Sequence, residues 1–230
     1  MGANLMKKIF LPLIAASVLA VGADIDALQK ECDAGDGTSC VKIGILYGKG
    51  QEIKQDYDKA VELLAKACDL GFAKGCSNLG GLYSRGEGVK KDYEKSNKLY
   101  AKACDLDDNV GCFILGLSYD EGKDVKRDEQ KAITLYSKAC DLGFAKGCYY
   151  GGFLYENSKE NNQNYIKAHE LYIKGCDLKD GASCGSAGYL YRYGKGVEKS
   201  HETTEKYFKK ACEIDVLDCE TYKTFKKLGY

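Results

Sequence analysis

The sequence predicts an all-α protein, an α/α superhelix (solenoid) of five 36-residue helix-turn-helix repeats with flanking cap helices, each repeat stapled by a disulfide. Three observations predict it. The cysteines Cys32, Cys68, Cys104, Cys140, Cys176 and Cys212 stand 36 residues apart, and a period between about 20 and 50 residues marks a solenoid or array. A second cysteine follows each of them at a nearly fixed interval, at Cys40, Cys76, Cys112, Cys148, Cys184 and, one residue sooner, Cys219. Between the pairs, apolar residues recur at helical spacing in every unit.

The paired cysteines set the corner of each repeat. Eight positions on a continuous α-helix span about 12 Å at ~1.5 Å per residue, whereas a disulfide needs Cα atoms within roughly 7 Å. Either the thiols are unpaired or the helix breaks between them. The sequence supplies a break, at Gly71 and Gly75, at Asp107-Asp108 and at Gly143 and Gly147, and glycine after a helical run is a usual stop. Each pair is therefore expected to tie the end of one helix to the start of the next. Twelve cysteines allow thousands of pairings, so this connectivity is read from spacing alone.

Residues 1–23 are expected to be a secretory signal peptide. Lys7 and Lys8 precede an apolar run from Ile9 to Ala20, and small residues follow before a cut after Ala23. No later stretch approaches 18 apolar residues, so no membrane span is expected. A leader with an even cysteine count implies an oxidising compartment, secreted or periplasmic. Lysine plus arginine and aspartate plus glutamate both number 34. The chain thus lacks the basic footprint of a nucleic-acid binder, and no nucleic-acid partner is expected.

The repeat domain is expected over residues 24–230, with repeats starting near 40, 76, 112, 148 and 184 and half-repeat caps at 24–39 and 219–230. The first helix of each unit carries a cysteine, a glycine four residues on (Gly44, Gly80, Gly116, Gly152, Gly188) and a tyrosine seven on (Tyr47, Tyr83, Tyr119, Tyr155, Tyr191). A glycine inside a helix costs about 1 kcal/mol relative to alanine, so its recurrence points to a close approach of two helices. A turn follows at Gly50, Gly86, Gly122 and Gly194. The second helix is expected to start at Asp56, Asp92, Asp128, Asn164 and Ser200, all good N-caps. Its apolar face runs through Ala60, Leu63, Leu64 and Ala67 and their equivalents. Lys66, Lys102, Lys138, Lys174 and Lys210 near its end are expected on a solvated face that complements the helix dipole. The fourth unit departs from the pattern at Ser158 and Asn161, and a looser loop is expected there. The last helix is expected from Thr221 to Leu228, stopped by Gly229.

Taken together, Leu79-Gly80-Gly81-Leu82-Tyr83, Gly86-Glu87-Gly88-Val89, Asp92-Tyr93-Glu94-Lys95 and Leu99-Tyr100-Ala101-Lys102-Ala103 resemble the Sel-like repeat, a longer relative of the tetratricopeptide repeat. With the cysteine staple the chain is similar to the secreted cysteine-rich Sel-like repeat proteins of Helicobacter and related bacteria, and the resemblance covers residues 24–230. It implies antiparallel helix pairs stapled by disulfides, secretion, and host-derived or peptidoglycan-related partners. It also implies, as an alternative, a weak β-lactamase that binds and hydrolyses β-lactams.

The residues themselves offer little chemistry. One Ser-x-x-Lys occurs, Ser39-Cys40-Val41-Lys42, without the Ser-Asp-Asn or Lys-Thr-Gly elements of serine β-lactamases; the plainer reading of Ser39 is a helix-capping serine. Cysteines separated by seven intervening residues, in a chain whose two histidines are His169 and His201, do not have the spacing of a zinc site. No catalytic residue, metal or cofactor is expected.

A binding groove on the first helices is the leading expectation. Its exposed positions should lie one, five and eight residues after each second cysteine. Phe113, Leu117, Tyr149, Phe153 and Tyr189 then form an apolar, aromatic strip, and Asn78 falls where related repeats place a peptide-gripping asparagine. The competing reading is that these aromatics pack between neighbouring helices. The expected partner is a protein, peptide or cell-wall-related polymer, and the protein is expected to be a monomer.

Overall fold

The computed structural model describes residues 24–51, 53–158, 162–215 and 219–228. The expected leader, residues 159–161 of the divergent turn and the stop at Gly229 lie outside the described residues. Among the described residues there are twelve helices and no strand. They are α1 (24–33), α2 (Gly37–Lys49), α3 (Tyr57–Asp69), α4 (Ala73–Arg85), α5 (Tyr93–Asp105), α6 (Asn109–Glu121), α7 (Glu129–Asp141), α8 (Ala145–Asn157), α9 (Asn162–Asp177), α10 (Gly181–Tyr193), α11 (His201–Ile214) and α12 (Cys219–Leu228).

The chain forms two compact units that divide after Leu106. In the first, α2 packs on α3, α3 on α4 and α4 on α5, and α2 also touches α4. Ile25 and Leu28 of α1 cover the cluster of Cys32, Cys40, Val41, Ile43, Leu63 and Ala67. In the second unit, contacts run from α6 through α12 in chain order, with α7 also touching α9 and α8 touching α10. Neighbouring pairs therefore share a core inside each unit, which is the packing logic of a solenoid.

Local sequence explains where the helices start and stop. Gly50, Gly86, Gly122 and Gly194 close the first helices of their pairs in the left-handed conformation, each N–H donating to the carbonyl four residues back. Asp56, Asp92, Asp128 and Ser200 open the second helices, each side chain accepting the N–H three residues on. The fourth repeat corrects the expectation of a cap at Asn164. There α8 ends on Ser158 in extended backbone, α9 already starts at Asn162, and Asn164 lies in its first turn with its amide donating to the Ser158 hydroxyl at 2.7 Å. Without a left-handed glycine the chain leaves α8 differently, and Asn164 ties the connection instead of capping the helix.

The recurrent glycine is a socket for the second helix. A Cβ on Gly152 would lie 2.7 Å from the ring of Tyr172, and one on Gly188 2.6 Å from Phe208. Gly44, Gly80 and Gly116 receive Leu64, Tyr100 and Tyr136 in the same way. Burying a large apolar side chain stabilises by about 1.5–3 kcal/mol, which outweighs the ~1 kcal/mol helix penalty of glycine.

The corners are stapled as the spacing predicts. Cys32–Cys40, Cys68–Cys76, Cys140–Cys148 and Cys176–Cys184 hold their Cα atoms 4.5–4.7 Å apart, and Cys212–Cys219 4.2 Å apart. Cys104 and Cys112 are disulfide-bonded as well. A nine-residue closed loop contributes about 2.5 kcal/mol in the chain-entropy picture. The helix-end lysines do more than face water. Lys66 bonds Asp33 at 3.1 Å, Lys102 Asp69 at 3.6 Å, Lys138 Asp107 at 3.0 Å, Lys174 Asp141 at 2.6 Å and Lys210 Asp177 at 3.0 Å. These pairs are exposed and screened by solvent, so each contributes little to stability; they record the register of successive repeats rather than hold it.

Candidate functional site

The strip expected on the first helices is only partly a surface. Phe113 is 7% exposed and sits among Phe144, Tyr136 and Tyr150, with ring centroids 4.9–5.5 Å away. It is core. In the first three repeats the residue one after the second cysteine faces the neighbouring helices, so Val41 and Ser77 are buried too. Leu117 is half-buried on α6. Asn78 is half-buried on α4, and its amide donates to the Lys74 carbonyl of its own helix at 2.7 Å. It lines, with Ile45, Leu82 and Arg85, a cleft of about 150 Å³ in the first unit.

Further along the second unit, α8 and α10 keep part of the strip outside. Phe153 is 46% exposed and Tyr189 43%, with Tyr149 half-buried beside them. Tyr193, which the one-five-eight rule missed, is the most exposed at 60%. Its signal was its place four residues after Tyr189, on the same helix face. The side chains thus form two i, i+4 pairs. Tyr149 and Phe153 on α8 lie 6.3 Å apart at 27°, and Tyr189 and Tyr193 on α10 lie 6.4 Å apart at 1°.

Each pair is backed by a buried ring. Tyr149 rests on Tyr172 at 6.1 Å, and Tyr189 meets the edge of Phe208 at 5.1 Å and 68°. Those are the rings seated on Gly152 and Gly188. Tyr149 also packs on the cluster of Ala168, Tyr172, Ala187 and Leu190, which joins α8 to α10. The Tyr172 hydroxyl donates to Glu156 at 2.9 Å, and burial, followed by the Glu156 charge, pushes its phenol far above the ordinary range. It stays neutral as a fixed donor. The exposed rings are therefore held before any ligand arrives, which lowers the ordering cost of binding.

Ser39 is not arranged as a nucleophile. It is buried, and its hydroxyl lies 2.6 Å from both Glu31 and Asp36. The expected capping role belongs to Asp36, which accepts the N–H groups of Thr38 and Ser39. Ser39 is one of the groups that cap engages. His169 is packed edge-on to Tyr191 at 5.1 Å with its Nε2 buried, and His201 stacks on Phe225 at 4.7 Å. Among the described residues no group of three or more His, Cys, Asp or Glu side chains is placed to hold a metal.

Five copies of the Sel1 repeat are matched, at residues 38–72, 73–108, 110–144, 145–180 and 183–215. The chain belongs to the Sel1 repeat family. Each Sel1 frame opens within three residues of a second cysteine, so the staple joins one frame to the start of the next. A Sel1 repeat protein from Oxalobacter formigenes is similar in structure, with a TM-score of 0.68 at 28% identity over 78% of this chain and 74% of that one. So is c5321, a protective antigen present in uropathogenic Escherichia coli strains that displays an SLR fold, with a TM-score of 0.80 at 26% identity. The match covers 89% of this chain but only 44% of the E. coli protein. Helicobacter pylori cysteine rich protein B is 33% identical over 56% of this chain and 92% of that one, with a TM-score of 0.47. No curated protein matches the sequence.

Proposed function

We propose that this Sel1 repeat protein is an extracytoplasmic, disulfide-stapled scaffold that captures a protein or peptide on the first-helix face of its second unit. The observation that carries the reading is the set of backed aromatics on α8 and α10: exposed Phe153, Tyr189 and Tyr193, with half-buried Tyr149 beside them. Aromatic anchors are enriched among binding hot spots, and large exposed apolar groups that are rigidly held are placed for a partner rather than for a core. The twelve oxidised cysteines support the compartment, because such bridges persist in oxidising surroundings.

The β-lactamase alternative has no comparable support. The hydroxyl of Ser39, which carries the lone Ser-x-x-Lys, is buried between two carboxylates. A photo-crosslinking amino acid at position 153 or 189 tests the binding reading. Adducts with a protein or peptide from cell-envelope extract or culture medium are expected from both positions, and none from the same residue at position 113. Equal adducts from all three positions, or from 113 alone, would contradict it.

A further inference from the structure

The residue seated on the socket glycine is an aromatic ring in four repeats, Tyr100, Tyr136, Tyr172 and Phe208, and Leu64 in the first. Eight residues after the second cysteine stand Ser84, Asp120, Glu156 and Arg192, and in the first repeat Gly48. In the third and fourth repeats these two positions meet. The Tyr136 hydroxyl donates to Asp120 at 3.4 Å and the Tyr172 hydroxyl to Glu156 at 2.9 Å. The first repeat lacks both the ring and the side chain that meets it. Its cleft of about 150 Å³ is lined by Gly44, Gly48, Ala60 and Leu64, the counterparts of the residues that surround the ring later in the chain. A Cβ added to Gly48 would meet Ala60 at 3.7 Å, an ordinary contact.

The cleft has an apolar floor and a polar mouth. Leu64, Leu82 and Ala60 are buried, while Lys49 and Arg85 are exposed and Asn78 and Glu87 half-buried. Arg85 is held by Glu87 at 2.8 Å, and the Asn78 amide nitrogen donates to the Lys74 carbonyl. What this pair of side chains offers a ligand is therefore acceptor oxygen, the amide oxygen of Asn78 and the carboxylate of Glu87, which can accept more than one hydrogen bond. The volume is below the roughly 300–1,000 Å³ of sites that enclose a drug-sized molecule. It matches a single six-membered ring, since an apolar cavity of about 150 Å³ holds benzene. We propose that the cleft binds a phenol ring, with its apolar body against Ala60, Leu64 and Leu82 and its hydroxyl at the mouth toward Asn78 and Glu87. The ligand supplies the ring that Leu64 does not. Every residue involved lies between 44 and 87 in the first unit, so the proposal does not rest on capture by α8 and α10.

The test is an NMR titration of the oxidised full chain with p-cresol, toluene and N-acetyl-tyrosinamide. p-Cresol should shift the signals of Ile45, Leu64 and Leu82 and bind roughly three- to tenfold more tightly than toluene, the size of one neutral hydrogen bond. Leu64→Tyr with Gly48→Asp copies the pair of the third repeat into the first. That variant should fold and bind p-cresol at least about tenfold more weakly, because its own ring occupies the space. Gly48→Asp alone, at a position that accepts a Cβ without a clash, adds an acceptor and leaves the ring space open. It should widen the preference for p-cresol over toluene. No shifts at the cleft residues of the wild type would overturn the proposal, as would p-cresol binding that survives in a folded double variant. Equal binding of toluene and p-cresol, or a preference that Gly48→Asp leaves unchanged, would overturn the hydroxyl at the mouth. N-acetyl-tyrosinamide separates the sources of the ring. Binding as tight as p-cresol points to a tyrosine side chain of a polypeptide, and exclusion points to a free phenol.

Discussion

At three of the staples, the residue before the second cysteine is matched in size to the residue before the first. Gly75 lies where an added Cβ would come 2.7 Å from Ala67, and Gly147 where it would come 2.9 Å from Ala139. In the fifth staple the sizes are exchanged. Ser183 replaces the glycine, its hydroxyl bonds Asp180 at 2.6 Å, and the partner position is Gly175, where a Cβ would sit 2.8 Å from that of Ser183. Gly175→Ala should therefore destabilise by about 1–3 kcal/mol through overpacking, despite alanine's better helix propensity. Adding Ser183→Gly, which recreates the pairing of the second and fourth staples, should recover most of it. Denaturant melts of the two singles and the double measure the coupling, and additive effects would contradict the matched pair. His169 is a second residue with a consequence. Burial holds its imidazole below the ordinary value of 6.5, with Glu170 opposing, and its buried Nε2 has no hydrogen-bond partner. Because the folded state disfavours the proton, its contribution is full above about pH 6.5 and is lost as pH falls through the depressed folded value. The drop in Tm between pH 7.5 and pH 5 should be smaller in His169→Phe than in the wild type; an equal drop would show that His169 does not titrate on unfolding.

At the scale of the helices and their connections, the left-handed residue two positions after the leucine-type helix end sets the corner. Gly35, Gly71 and Gly143 occupy it in three repeats, but Asp107 (φ 61) and Lys179 (φ 67) occupy it in two. A left-handed L-residue costs roughly 1–2 kcal/mol, and the glycine sites at 35, 71 and 143 have nothing within 4 Å of an added Cβ. The cost at Lys179 is therefore conformational rather than steric. Lys179→Gly should raise Tm, by an amount corresponding to about 1 kcal/mol or less once glycine's extra unfolded freedom is counted; a lowered Tm would show that the lysine makes a contact worth more than its strain. Much of this architecture was legible in the sequence, because glycines, caps and cysteines act locally and recur. The corner staples, the αL stops and four of five second-helix caps follow from spacing alone. Asn164 did not, since its role depends on how Ser158 leaves α8. Nor did Phe113, because a residue's exposure on a first helix depends on which ring the next repeat lays over it, here Phe144 and Tyr150. Tyr193 was missed because an exposure rule with three positions per repeat skipped the ninth.

Over the whole molecule, Sel1 repeats account for residues 38–72 through 183–215, and disulfides recur at every corner. The two units are built alike but present different surfaces. The first has a cleft that carries Lys49, Arg85 and Glu87, whereas the second exposes the rings of Phe153, Tyr189 and Tyr193 and a cavity with a basic rim. Common architecture with divergent first-helix faces is what a scaffold needs if the fold is fixed by sockets and staples and recognition by what lies outside them. The most direct test of that separation is partner capture by Phe153→Ala with Tyr189→Ala, measured beside its melting temperature. Both side chains are more than 40% exposed, so the account predicts a Tm within a few degrees of wild type, as for surface changes, together with loss of capture from envelope extract or medium. A folded variant that captures as well as wild type would contradict the account, and a variant that unfolds would place the two rings in the core.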